Sequence, residues 1–392
     1  MTPDTTLKAL AAIRRGLFLI STPMVFLSFA LPLRARELGA SALEIGGLFS
    51  IFTAALLVLR PLVGIGLDRF GRRWFFVAAL AFYIVTNGIF ALSEDLASLY
   101  FGRLVQGVGL ALLLITTDTM TADLTTAESR AAALGRNVES QGRGGIAGAF
   151  LGFTLVGVVP VHAWQLTFSS FALVAAVAVA FAIRTVPETT EPTVRARFTW
   201  RFEVPPQQER LLLVIFIAAF ATSLIQPLYL IYLQDRFGVE LRVLAFAFLP
   251  VGIVYAVLPS RLGALAQRLG RSRSMASGWL LTGTLYLALP HMPGLAAIAL
   301  GFTISAVGII MADIARNAWV ADMSTAETTG RSYGVVELAA GVGATIGPLV
   351  GGLIYDVLGK DLVFYTNGVI MWLAAILVML YVAKPEDGKT SG

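Results

Sequence analysis

Long apolar runs dominate the chain, and polar residues fall almost wholly between them. A helix needs about 20 mostly apolar residues to cross the hydrocarbon core of a bilayer. Twelve stretches fit: 16–36, 41–66, 73–93, 97–120, 137–159, 163–183, 211–234, 241–262, 274–290, 294–320, 332–355 and 361–383. A membrane β-strand would instead read as about ten residues of alternating polarity. Runs such as LVAAVAVAFAI (173–183) and LLLVIFIAAFA (211–221) do not alternate. The pattern therefore predicts an all-α integral membrane protein with twelve transmembrane helices.

Only one segment is both long and polar, RTVPETTEPTVRARFTWRFEVPPQQER (184–210), and it separates six spans from six. It is read as a cytoplasmic tether joining an N-terminal six-helix bundle, 1–183, to a C-terminal one, 211–392.

Composition agrees. Of 392 residues, 57% are hydrophobic and only 14% charged, with a mean hydropathy of +0.79. Soluble domains carry about 25% charged residues, and disordered chains pair high charge with low hydrophobicity. Both classes are excluded. With no cysteine, thiolate metal sites and thiol redox chemistry are excluded too. The first span is too long for a signal-peptide core and runs into PLRARELG rather than a small-residue cleavage site, so no cleavable leader is expected.

Basic residues set the expected orientation. With both termini cytoplasmic, 20 of the 29 Lys/Arg fall in cytoplasmic segments, five fall outside and four lie within spans. A multi-pass protein of the cytoplasmic (inner) membrane follows. The net charge of +5 then reflects topology, and no nucleic-acid partner is expected.

The two halves align without gaps at an offset of 199 residues. ADLTTAESRAAALGRNVESQGRGGIAGAFLGF (122–153) lies over ADMSTAETTGRSYGVVELAAGVGATIGPLVGG (321–352), with ten of 32 positions identical. The same register sets GIGLDRFGRR (64–73) on GALAQRLGRS (263–272). Six spans leave each half in one orientation, so the repeat is parallel. Parallel repeats place a substrate site near the bilayer midplane, between the halves.

At these residues the sequence resembles the major facilitator superfamily, over essentially its whole length. GIGLDRFGRR fits the family's loop signature between helices 2 and 3. RLVQGVG (103–109) resembles the helix 4 motif of the twelve-helix drug:proton antiporter group. GATIGPLVGG (343–352) has the form of the antiporter glycine–proline motif, here in helix 11 rather than helix 5, whose copy GGIAGAFLGF lacks the proline. The resemblance implies the major facilitator fold, two pseudo-symmetric six-helix bundles working by alternating access. It also implies that Asp68, with Arg69, Arg72 and Arg73, gates the cytoplasmic side. The arginines fit the positive-inside bias equally well. Helices 1, 4, 7 and 10 line the cavity in this family, which nominates Phe26, Phe29, Arg103, Gln106, Gln226, Tyr229 and Asn317 as substrate contacts.

Charges within spans are informative because each costs roughly 2.5–3.5 kcal/mol at mid-bilayer on insertion scales. Arg103 either snorkels to the outer interface or faces inward with Gln106, one turn on. Glu139 and Arg143 share a helix face in the favourable i,i+4 order, and Asp313 and Arg316 are spaced to pair likewise. Glu139, Asp313 and Glu337 are the candidates for carrying a coupling proton, and structural ion pairing is the alternative. Gly347 and Pro348 fit either close helix packing or a gating flex point. No metal-ligand, nucleotide-loop or nucleophile–base motif occurs, so neither an enzyme nor a cofactor is expected. The expectation is a monomeric secondary transporter moving small amphipathic or drug-like molecules out against protons. Metabolite uptake, or a lipid-moving or ligand-sensing protein without coupling, is the alternative.

Overall fold

The computed structural model describes residues 3–159, 161–189, 206–238, 243, 249–322 and 329–382. Its helices in chain order are α1 (Pro3–Ile20), α2 (Thr22–Glu37), α3 (Ala42–Phe70), α4 (Arg73–Ala91), α5 (Leu96–Asp123), α6 (Ala127–Val158) and α7 (Ala163–Thr185). There follow α8 (Pro206–Ile225), α9 (Tyr229–Phe237), α10 (Leu249–Val257), α11 (Pro259–Leu269), α12 (Arg271–Ala288), α13 (Leu295–Asp322), α14 (Thr329–Val357) and α15 (Lys360–Leu377). No strand occurs among the described residues.

Nine segments among the described residues are long and apolar enough to cross a membrane, with α1–α2 and α8–α9 each forming one. Of the other three expected spans, two are more polar. α6 carries Arg136, Glu139 and Arg143 in its first half, and α12 opens on Arg271 and Arg273. The 241–262 span is described in part, as α10 and the start of α11, and the tether residues 190–205 lie outside the described set.

Two spans expected as continuous helices are broken. The first is interrupted at Ser21, and the seventh at 226–228. Proline is the physical cause on both sides, since Pro23 and Pro227 offer no N–H to the helical ladder. The chain turns through short-range bonds instead, Leu228 N donating to Ile225 O at 3.0 Å and Met24 N to Ser21 O at 3.1 Å. Ends are placed by local chemistry too. Asp95 caps α5 by accepting from Ser98 N at 2.7 Å, which holds its carboxyl below the usual carboxylate range.

The chain forms two compact units, Met1–Ala40 with Ile51–Trp200, and Ser41–Ser50 with Arg201–Gly392. The first turns of α3 thus belong to the second unit and its remainder to the first. The first unit's core gathers Ile13, Leu17, Phe76, Leu80, Tyr83, Leu113 and Ala178 from α1, α4, α5 and α7. The second unit's gathers Val214, Ile215, Met275, Trp279, Ala312, Ala315 and Met371 from α8, α12, α13 and α15.

The internal repeat survives as packing. On α6, a Cβ at Gly144 or Gly148 would run into the carbonyls of Phe18 and Thr22 at the α1–α2 break. On α14, a Cβ at Gly343 or Gly347 would lie 2.6 Å from the carbonyls of Phe216 and Phe220 on α8. These glycines are 199 residues apart, so the same close crossing is built twice. Small residues let membrane helices approach at backbone distance.

Candidate functional site

In the first unit, Arg103 is 6% exposed and lies in the second turn of α5. Its Nη1 donates to Gln106 Oε1 at 2.7 Å, one helical turn on, and its guanidinium sits 4.0 Å from the centroid of the Phe52 ring. Gln106 is buried as well. The Arg103 side chain is buried within the first unit. An amide oxygen and an aromatic face are what a guanidinium needs when removed from water. Phe26 is fully buried, packed against Phe153 at 5.2 Å, Phe171 at 5.8 Å and Phe168 at 5.9 Å, while half-buried Phe29 touches Phe153 at 6.0 Å. Phe26 therefore sits in an aromatic cluster of α2, α6 and α7.

In the second unit, Asp313 and Arg316 pair at 3.5 Å on α13, and the Arg316 guanidinium reaches Asn317 Oδ1 at 3.4 Å. The Asp313 side chain is 53% exposed even though it belongs to an apolar span, Leu295–Val320. Glu337 is half-buried on α14. Gln226 stands exposed in the α8–α9 break, and buried Tyr229 opens α9 with its ring 3.5 Å from that of Phe302. Gly347 lies against Phe220 and Ser223 of α8, and Pro348 is buried in α14. Glu139 and Arg143 form the predicted i,i+4 ion pair, both side chains more than half exposed at 54% and 71%.

At the α3–α4 turn, Gly71 takes φ +85°, a conformation favourable only without a Cβ. Arg72 is buried, its Nε 3.2 Å from Asp123 Oδ2 at the end of α5 and its Nη1 donating to Leu67 O at 3.0 Å. Glu188, just past α7, accepts from the backbone N–H of Arg72 at 2.8 Å and of Arg73 at 3.1 Å, capping α4. Arg73 donates to Ile183 O at 2.6 Å, and Thr189 donates to Asp123 at 2.8 Å. Positive-inside bias does not account for Arg72, which is a buried, paired charge. Arg69 is exposed over the Phe70 ring at 5.3 Å. The Asp68 side chain lies outside the described residues.

Sequence reasoning missed Glu188, assigned to the tether, and saw Asp123 only as an identity in the repeat. The signal for Glu188 was its place three residues after α7 ends at Thr185, within reach of a positively charged helix start. Nothing local points to Phe52 as the partner of Arg103. Among the described residues no three His, Asp or Glu side chains gather as a metal site.

Comparison with known proteins places this geometry. The chain is 25% identical to Multidrug resistance protein 1 of Bacillus subtilis over 334 residues, 83% of this chain and 84% of that one. With Multidrug resistance protein 2 of the same organism it shares 24% identity over 397 residues, covering 95% and 97%. A bacterial homologue of the human lysosomal transporter Spinster superposes with a TM-score of 0.82 at 15% identity, covering 97% of this chain and 98% of that one. The Major Facilitator Superfamily profile matches residues 16–210 and again 211–392. The chain is a multi-pass membrane transporter of all-α fold, and it belongs to the major facilitator superfamily.

Proposed function

We propose that this transporter is a proton-coupled exporter of small amphipathic or drug-like molecules, working by alternating access as a monomer in the cytoplasmic membrane, with both termini cytoplasmic. Asp313 carries the reading. A carboxylate half exposed within an apolar span, 3.5 Å from an arginine, can trade its proton for that partner as its surroundings change. Glu139 is likewise half exposed and paired, with Arg143, but on α6, which is not among the apolar spans. Glu337, half-buried on α14, is the third candidate. The substrate class is supported by the otherwise apolar sequence of the spans that carry these few polar candidates, and by two relatives named for multidrug resistance. An apolar lining with few polar handles suits amphipathic solutes better than sugars.

The test is substrate-driven pH change in proteoliposomes loaded with ethidium or another amphipathic dye. Dye movement should move protons, and Asp313→Asn should abolish the proton flux while dye binding persists. Dye transport that continues at full rate without a proton gradient and moves no proton removes the coupling claim.

A further inference from the structure

The start of α3 is capped twice, from two distant parts of the sequence. Ser41 and Glu44 form a reciprocal box: Glu44 N donates to Ser41 Oγ at 3.2 Å, and Ser41 N donates to Glu44 Oε2 at 2.8 Å. That box leaves the N–H groups of Ala42 and Leu43 without a local acceptor. Both are taken by one carboxylate, Asp356, whose Oδ1 accepts from Ala42 at 3.1 Å and whose Oδ2 accepts from Leu43 at 2.8 Å.

Asp356 stands in the last turn of α14, where the helix dipole disfavours an acid. Its place there makes sense only through a partner, and the N-terminus of α3 is electrostatically the right one. The backbones are shaped for the same contact. Pro348, Gly352 and Asp356 recur at i, i+4 and i+8 along one face of α14. A Cβ at Gly46 of α3 would strike the Pro348 carbonyl and come within 3.3 Å of Leu349 N, and one at Gly352 would lie 2.5 Å from Leu43 Cα. The flanking residues are braced: Tyr355 donates to Asp235 at 2.9 Å, Lys360 pairs with Asp235 at 2.7 Å, and Tyr232 donates to Asp361 at 2.7 Å. The end of α14 and the start of α15, on either side of the carboxylate in sequence, are thereby both tied to α9.

We propose that Asp356 is a latch that holds the end of α14 on the start of α3, and that its release is required for these helix ends to part on the extracytoplasmic side. Asp356 is a positioning residue that need not touch substrate. The side of the membrane rests on the proposed orientation; the latch itself does not. Leu43 N is near solvent, so water can take over its bond when the carboxylate leaves, which makes the contact reversible.

The chain has no cysteine, so a single introduced thiol is a clean probe. Ile45, one turn along α3 from Ala42, is fully buried. The experiment measures labelling of Ile45→Cys in the full chain by a membrane-impermeant maleimide, in right-side-out and inside-out vesicles. Labelling should be slow in the parent, several-fold faster with Asp356→Ala, and intermediate with Asp356→Asn, which keeps one acceptor. Leu99→Cys, a buried position in the first unit, should label at the same slow rate with and without Asp356→Ala. The latch is overturned if Asp356→Ala leaves the Ile45→Cys rate unchanged, or if it raises the Leu99→Cys rate equally. A rise seen only in inside-out vesicles leaves the latch standing and overturns the orientation.

Discussion

The guanidinium of Arg72 and the carboxylate of Asp123, 51 residues apart in the chain, meet at 3.2 Å beneath the α3–α4 turn. Both side chains are largely withdrawn from water, at 8% and 21% exposure, so the pair is not an ordinary surface ion pair. Removing one member of such a pair strands the other.

Arg72→Ala and Asp123→Ala are each expected to lower unfolding stability in detergent by about 3 kcal/mol, the lower end for a broken buried pair because Asp123 keeps some water. The double variant should lose much less than the sum of the two. Arg72→Lys should recover only part of the loss, since a lysine cannot pair with Asp123 and also donate to Leu67 O with a fixed fork. A denaturant double-mutant cycle checks this, and strict additivity would refute the pairing.

The two equivalent glycine crossings give a symmetric prediction. Gly148→Ala and Gly347→Ala each force a methyl against a backbone carbonyl, so each is expected to cost about 1–3 kcal/mol, the usual penalty for overpacking. Gly135→Ala, in the same α6 helix with nothing near its Cβ direction, should instead stabilise by about 0.5–1 kcal/mol from helix propensity. Thermal unfolding monitored by tryptophan fluorescence separates the three. Equal effects at Gly135 and Gly148 would show that propensity, and not the crossing, is being measured.

Asp95 gives the pH dependence. Hydrogen bonds from Ser98 hold its folded-state carboxyl below the usual range. A depressed carboxyl contributes stability that is fully present above its unfolded value, about 3.9, and is lost as pH falls through the lower folded value. Between pH 8 and pH 5 the cap should add no pH dependence, and below that the parent should lose stability that Asp95→Asn never had. Melting temperatures of the two proteins should therefore converge toward acid. A gap that stays constant to the most acidic point would refute the charge-based cap.

Particular residues show what could be read in advance and what could not. Glu139 with Arg143, and Asp313 with Arg316, were visible as pairs because helical spacing alone brings i,i+3 and i,i+4 positions together. The Gly144/Gly148 and Gly343/Gly347 stripes were visible as a repeat, though not what they touch. The helix breaks were missed because the apolar runs continue through Ser21 and Gln226, and hydropathy does not register a missing N–H. Arg72 reads in sequence as a gating or positive-inside charge, and its burial is not legible there because its acceptors, Asp123 and Glu188, come from elements far along the chain.

The amino-acid sequence by itself determined the membrane class, the helical secondary structure, the two-fold repeat and the family, because each is written in composition, period or register along one strand of chain. Tertiary structure alone decided that Arg103 is buried over Phe52, that Glu188 caps α4, and that Asp356 caps α3 across 313 residues. The physical reason is the same in each case. A buried charge or an open helix end must find a partner, but the sequence states only the need, and the packing of distant helices chooses which group answers it.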